Sequence, residues 1–259
     1  MLIENELTKS YLSLDGIDLA FQTLPISTEI DCSYFPERQS ILRYCFAEAN
    51  FNSIVVEHFL ERGYRRSGDL LYKTECKSCK MCIPYRIPLD SFQANSSQRR
   101  NLKLNSHIQF TVGSPNQTTN KQNLYIKYIR SRHENKQKEE SDSSLLETLD
   151  SQMYEYTDHS LEIEIHDAGK LIGFGILDIG TETISSVYNV YDPDYKKNGL
   201  GIYMILKSIE WASRIESLKY IQLGLFIPGH PKMDYKKNFQ PGEILHPLTQ
   251  KWEDIQFIL

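Results

Sequence analysis

The run Leu161-Glu162-Ile163-Glu164-Ile165-His166 and the sixty residues after it decide the fold. Apolar and polar side chains alternate with period two here, the pattern of a half-buried strand. Asp167-Ala168-Gly169 is a turn, Lys170 to Asp178 reads as a second strand and Thr183 to Val190 as a third. Together they predict an antiparallel meander. The junction Asp192-Pro193-Asp194-Tyr195-Lys196-Lys197-Asn198-Gly199-Leu200-Gly201 breaks that pattern. Gly199 to Arg214 then carries apolar residues at helical spacing, and Tyr220 to Phe226 reads as a strand. This order defines an α+β architecture with a glycine-bearing turn between its third strand and its helix.

Upstream the pattern is less regular. Ser40 to Ala49 and Ser53 to Arg62 read as two helices, the second carrying the apolar stripe Ile54, Val55, Phe59 and Leu60 and ending at Gly63. Leu70 to Lys73 and Ile83 to Leu89 read as strands on either side of a cysteine loop, making a small N-terminal unit. Ser96 to Lys103 is a short basic helix, residues 114–123 a polar loop, and Leu124 to Arg132 an amphipathic helix. Residues 133–143 are strongly polar and expected to be mobile.

Three of the five cysteines form Cys76-Lys77-Ser78-Cys79-Lys80-Met81-Cys82. A C-x2-C-x2-C run turns thiolates toward one point, as zinc sites and iron–sulfur clusters require. A fourth ligand must come from elsewhere; Cys32 leads, with Cys45 and His58 behind it. Lys73, Lys77 and Lys80 are expected to favour the thiolates. The alternative is three thiols in a tight turn without metal. An odd cysteine count argues against a disulfide framework and makes a reducing cytoplasm the expected compartment. The N-terminus lacks a secretion-signal pattern, and no window approaches 18 consecutive apolar residues, so no membrane partner is expected.

The net charge of −5 over 259 residues seems at odds with a nucleic-acid partner only until it is divided. Residues 61–108 hold ten Lys/Arg against four Asp/Glu, whereas residues 139–167 hold ten Asp/Glu and no Lys/Arg. The first segment suits a phosphate backbone; the second reads as a solvated acidic face.

The element order resembles the core of the GNAT acyltransferases, and Lys196 to Gly201 is similar to their pyrophosphate loop, where small residues let backbone N–H groups approach an anion at a helix N-terminus. An ordinary strand-to-helix turn is the alternative. Further blocks extend the likeness. Cys32-Ser33-Tyr34-Phe35-Pro36, Gly63-Tyr64-Arg65-Arg66-Ser67-Gly68, the cysteine loop with Ile83-Pro84-Tyr85-Arg86, and Ser97-Gln98-Arg99-Arg100 come first. Tyr191-Asp192-Pro193-Asp194, Leu200-Gly201-Ile202-Tyr203, Ile227-Pro228-Gly229, Lys232-Met233-Asp234-Tyr235-Lys236 and Phe239-Gln240-Pro241 follow in the same order. From about residue 30 to 245 the chain thus resembles the aminoacyl-tRNA–protein transferases, and by its length and cysteine loop the bacterial leucyltransferase branch more than the eukaryotic arginyltransferases. Asn198-Gly199 departs from the pair usual in the family at that point.

The resemblance implies transfer of Leu or Arg from an aminoacyl-tRNA to the α-amine of proteins beginning with Asp or Glu, marking them for N-degron degradation. It implies a transferase domain with the cysteine loop over residues 1–97 and a GNAT-like acyltransferase domain over 98–259. No cofactor is needed for the chemistry. Catalytic candidates are Asp192, which otherwise caps the turn at Pro193, and Tyr191 and Tyr235, which with Tyr188 are otherwise core. Substrate and tRNA candidates are Arg65, Arg66, Arg99, Arg100, Lys103, Gly199, Gly201, Lys232 and Lys236; Cys32, Cys76, Cys79 and Cys82 are the metal candidates. Two other readings share these motifs: an acetyl-CoA-dependent N-acetyltransferase, and a non-catalytic metal-ribbon RNA-binding module. Oligomeric state is not legible.

Overall fold

The computed structural model describes residues 20–47, 52–132, 140–155 and 158–257. Its small sheet segments are β1 (Ile30–Asp31) with β2 (Gln39–Ser40), and β3 (Leu42–Phe46) with β4 (Arg65–Ser67) and β5 (Leu70–Thr74), around helix α1 (Ser53–Glu61). Strand β6 (Ile83–Pro88), helix α2 (Ser96–Leu104), β7 (Gln109–Gly113), α3 (Thr119–Arg132) and α4 (Asp142–Leu149) follow. The second half holds β8 (Ser160–Asp167), β9 (Lys170–Ile179), β10 (Thr183–Tyr191), α5 (Leu200–Ala212), β11 (Tyr220–Phe226), β12 (Glu243–Leu245) and β13 (Trp252–Asp254).

The meander, its following helix and its last strand form where the alternation places them. They belong to an eight-stranded sheet of order β13-β12-β6-β11-β10-β9-β8-β7, antiparallel except between β10 and β11. The parallel step follows from chain geometry, since β10 returns to β11 through the crossover helix α5. Helix α5 buries Leu200, Tyr203, Met204 and Leu206 against one face of the sheet; α3 and α4 cover Phe174, Ile176 and Val190 on the other.

Three expectations change. Ser40 to Ala47 is not helical: Leu42 to Phe46 pairs antiparallel with Leu70 to Thr74, a short apolar run whose partner strand settles its type. The residues 48–49 of that expected helix, and 133–139 of the polar segment, lie outside the described residues. The polar loop also ends earlier, because α3 begins at Thr119. Strand β6 exists as expected but not within the N-terminal unit. It pairs with β11 along Ile83 to Pro88 and with β12 at Tyr85 and Arg86, so a division at 97/98 would cut one continuous sheet. Its two prolines fall outside the doubly paired stretch, each facing β11 alone.

The N-terminal elements are bolted to this sheet by buried polar groups. Asn52 caps α1 by accepting from the N–H groups of Ile54 and Val55. On the same helix, buried Glu57 accepts from the backbone N–H groups of Glu182 and Thr183 and from the Thr183 hydroxyl. The acidic run is likewise only partly solvated. Glu162 is buried, accepting from Lys121 and from the Tyr154 hydroxyl at 2.7 Å, while Glu164 lies 2.6 Å from the same lysine. No helix among the described residues is long and apolar enough to cross a membrane.

Candidate active site

The site begins where the parallel ladder stops. β10 and β11 pair only at Thr183–Tyr220, Ile184–Ile221 and Ser185–Gln222, although both strands continue, to Tyr191 and Phe226. A bulge falls at that level on each outer flank, between Ser186 and Tyr188 against β9 and between Gln222 and Gly224 against β6. Bulges bend and twist the strands that carry them, so the paired irregularities accompany an opening in the middle of the sheet.

On the β10 side, Asp192 caps a 3₁₀ turn over Pro193–Asn198 by accepting from the Asp194 N–H at 3.0 Å. Gly199, at φ +59, turns the chain into α5. Both glycines of the junction face protein. A Cβ at Gly199 would lie 2.9 Å from the Asn101 side-chain nitrogen, and one at Gly201 3.1 Å from the Tyr191 ring. The turn is held to α2 by Asn101 and Asn105, each donating to the Asn198 carbonyl at 2.8 Å. Helix α2 itself opens with a capping box between Asn95 and Gln98. Its exposed residues Arg99, Arg100 and Lys103, at i, i+1 and i+4 spacing, put three cations on a helix fastened to the junction.

Asp192 is not a free base. Its carboxylate, 2% exposed, sits 2.5 Å from Lys127 and 3.0 Å from Lys170. Burial works to raise its pKa, but the Lys127, Asp194 N–H and Lys170 hydrogen bonds prevail and hold it below the usual carboxylate range. The capping alternative is therefore the one the geometry carries. Tyr191 is half-buried, its ring edge-on to Tyr128 at 5.1 Å, with Tyr188 against the same ring at 6.4 Å. Tyr235 is half-buried in a 3₁₀ turn over Asp234–Asn238, edge-on to Phe239. Lys232 is exposed, its backbone N–H donating to His230 Nδ1.

The adjacent arginines go to opposite faces of β4. Arg66 is buried and structural: it donates to both Asp178 oxygens at 2.8 Å and to the Gly68 carbonyl at 3.0 Å, joining β4 to β9. Its donors are thereby engaged within the protein rather than turned to a ligand. Arg65 lies against the other flank of the opening. A Cβ on Gly224, at φ +73, would meet its Nε at 2.8 Å, so only glycine lets the guanidinium rest on β11. Arg65 also hydrogen-bonds Tyr34 and lies 5.9 Å from the Tyr72 ring centre. Beside it, Lys236 is buried and donates to the Leu225 carbonyl. Burial, reinforced by Arg65, pushes the Lys236 amine well below its ordinary pKa.

Tyr34, Tyr72, Leu225 and Cys82 also line a cavity of about 240 Å³, with Cys32, Cys76 and Cys79 on its wall. The four candidate cysteines thus converge on one space, and Cys45 stands apart in β3. Among the described residues, no group of three or more Cys, His, Asp or Glu is placed to hold a metal ion. The neighbouring lysines do not set the Cys82 thiol: burial pushes it up to about 12, with Cys32, Cys79 and Cys76 adding to the effect. Arg38 donates to the Cys79 sulfur at 3.6 Å. His230 packs edge-on to two of the lining residues, Tyr34 and Phe35, at 5.7 and 5.9 Å.

The sheet order, its central opening and the glycine-bearing junction into α5 form a GNAT-like core. Family models described as arginine-tRNA-protein transferase, N terminus and C terminus, match residues 30–100 and 120–246. The aspartate/glutamate leucyltransferase of Leptospira interrogans serovar copenhageni is 44% identical over 229 residues, covering 88% of this chain and 89% of that one. The enzyme of the same name from Saccharophagus degradans is 32% identical over 235 residues, covering 91% and 98%. A solved structure of FemX aligns with a TM-score of 0.47 at 9% identity, covering 81% of this chain and 70% of that one. The chain belongs to the arginine-tRNA-protein transferase family and is an aminoacyltransferase.

Proposed function

We propose that this enzyme transfers leucine from leucyl-tRNA to the α-amine of proteins that begin with Asp or Glu. The observation that carries the reading is the 44% identity over nearly the whole chain to an aspartate/glutamate leucyltransferase. The exposed cations of α2, held beside the junction by Asn101 and Asn105, support an RNA partner whose 3′ end reaches the sheet opening. Marking of such proteins for degradation, in the cytoplasm, is the biological role that goes with it.

The chemistry asks little of the protein. An α-amine with a pKa near 7.7–8.0 is about a quarter neutral at pH 7.4. The neutral nitrogen attacks the ester carbonyl carbon, a tetrahedral oxyanion forms, and the bond to the ribose oxygen breaks as the amine proton passes to that oxygen. Holding the two ends together supplies much of the acceleration. That suits a site in which Asp192 is already engaged by two lysines. Cys32, Cys76, Cys79 and Cys82 line one space but are not placed as a ready metal site, so they would be the donors of a zinc ion or iron–sulfur cluster only if the loop closed around it. Such a centre would staple the cysteine loop to the Cys32 segment, and no step of the transfer passes through it.

The test is a parallel assay with labelled leucyl- and arginyl-tRNA and peptides beginning with Asp or Glu. Transfer from leucyl-tRNA is expected. Absence of transfer from either donor refutes the function, and transfer from arginyl-tRNA alone refutes the choice of leucine.

A further inference from the structure

Helix α5 carries a second feature at the end away from the junction. Phe110 and Val112 of β7, Lys207, Glu210 and Trp211 of α5, and Arg214 just beyond it line an open trough of about 290 Å³. Phe110, Val112 and Trp211 are half-buried, with the core behind them and the trough in front. The Lys207 ammonium lies 5.9 Å from the centre of the Phe110 ring and holds Glu210 Oε2, which leaves Glu210 Oε1 as an acceptor. Arg214 is exposed. The trough adjoins the basic helix α2, which packs on α5. Asn105, Ser106 and His107 are all that separates α2 from Ile108 on the trough wall, and the Tyr203 hydroxyl of α5 donates to the Ile108 carbonyl at 3.0 Å. Trp211 stands about 18 Å along α5 from Gly199, so one helix joins the junction to the trough.

We propose that this trough holds one unpaired, amino-bearing base, cytosine or adenine, from the single-stranded 3′ end of the aminoacyl-tRNA, short of the nucleotide that carries the amino acid. The inference rests on aminoacyl-tRNA being the donor, and it gives the enzyme a second hold on that RNA besides the junction. Each part of the trough fits a base. The aromatic rings offer a surface for stacking, and Lys207 and Arg214 meet the phosphates on either side of it. The Glu210 carboxylate repels a phosphate but accepts a hydrogen bond from an exocyclic amine. An apolar peptide side chain in the same place would strip water from the Lys207–Glu210 pair and return no hydrogen bond to it. A space of about 290 Å³ lies at the small end of small-molecule sites and suits a single base.

Trp211 reports on its own site. The chain has two tryptophans, and the other, Trp252, lies on β13 at the opposite edge of the sheet, so Trp252→Phe leaves one fluorophore at the trough. That variant is titrated with a blunt acceptor-stem duplex, with the same duplex carrying a 3′ single strand of cytosines and adenine, with a version carrying uridines, and with a peptide beginning with Asp. The cytosine strand should quench Trp211, the uridine strand should quench it less, and the blunt duplex and the peptide should leave it unchanged. In a second variant, Trp211→Leu, the affinity ratio of the cytosine-strand duplex over the blunt duplex should fall about 5- to 150-fold. Its KM for leucyl-tRNA should rise while kcat changes little. Because the preference is a ratio within one protein, a partly unfolded variant does not disturb it. An unchanged ratio in Trp211→Leu overturns the proposal. So does equal quenching by the cytosine and uridine strands, or quenching by the peptide and not by RNA, which would assign the trough to a strand added at the β7 edge. Strand-dependent quenching without transfer from any charged tRNA would overturn the proposed function and leave the base site standing.

Discussion

Replacing Arg66 by Ala should damage the fold and not the chemistry. The guanidinium, with its side chain 4% exposed, meets an Asp178 carboxylate that is 8% exposed, at two distances of 2.8 Å. Ser160 completes the carboxylate's shell at 2.7 Å, and the guanidinium also holds the Gly68 and Glu155 carbonyls. Removing one partner leaves Asp178 charged and buried with only a hydroxyl, which costs about 3–5 kcal/mol. In a chain of this size each kcal/mol lowers Tm by about 2–4 °C, so a fall of roughly 6–20 °C is expected. The double variant Arg66→Met, Asp178→Leu removes both charges and should recover a large part of that loss. Thermal and urea unfolding of the three proteins measure it, and transfer by the folded Arg66→Ala protein below its transition should stay within about threefold of wild type. A Tm within about 2 °C of wild type together with a collapse of transfer would refute the structural assignment and return Arg66 to the substrate site.

Asp192→Asn keeps an N-cap and removes two ion pairs, so kcat should fall less than about tenfold; a loss of about 10²–10⁴, the range of a general base, would restore a catalytic role. Because the folded-state pKa of Asp192 is held low, its ion pairs stabilise the fold fully above about pH 4 and are lost as pH falls further. The Tm difference between wild type and Asp192→Asn should therefore shrink on acidification through that range, and a difference that widens would contradict the sign. Replacing Arg99, Arg100 and Lys103 together by Gln should weaken tRNA binding and reduce the slope of log affinity against log salt by about 2–3; an unchanged slope would place the RNA elsewhere. Protein purified without oxygen should carry zinc or iron that Cys76→Ser releases, read by elemental analysis, and metal-free wild type would remove the staple from the account.

The second half of the chain was legible because its signals are local. The alternation of β8 and the helical spacing of α5 each specify an element without reference to anything distant. The failures share a cause in pairing across long separations. Leu42 to Phe46 is a strand because Leu70 to Thr74 lies beside it. Arg65 and Arg66 are equal candidates in the sequence, and which of them is tied up inside the protein depends on Asp178, 112 residues from Arg66. Glu162 looked like part of a solvated acidic face and is buried because Lys121 comes to meet it. Lys236 sits among Lys232, Asp234 and Lys237, a composition that reads as surface, and only the packing of its turn on β11 shows it to be buried. The glycines of the junction read as an anion cradle, yet Asn101 and Tyr191 are the groups nearest the space a side chain would take there, and Gly199 is also required by its positive φ.

The position of β6 has a consequence for how the protein is made. This strand is synthesised well before its ladder partners β11 and β12, which end at Phe226 and Leu245. While the chain emerges from the ribosome, Ile83, Tyr85 and Ile87 must wait with their apolar faces uncovered until the segments to Phe226 and Leu245 arrive. The basic cysteine-bearing half therefore cannot mature ahead of the acyltransferase half. A nascent chain stalled before Leu245 displays an unfinished sheet edge, and the two halves become an enzyme in the same closing event.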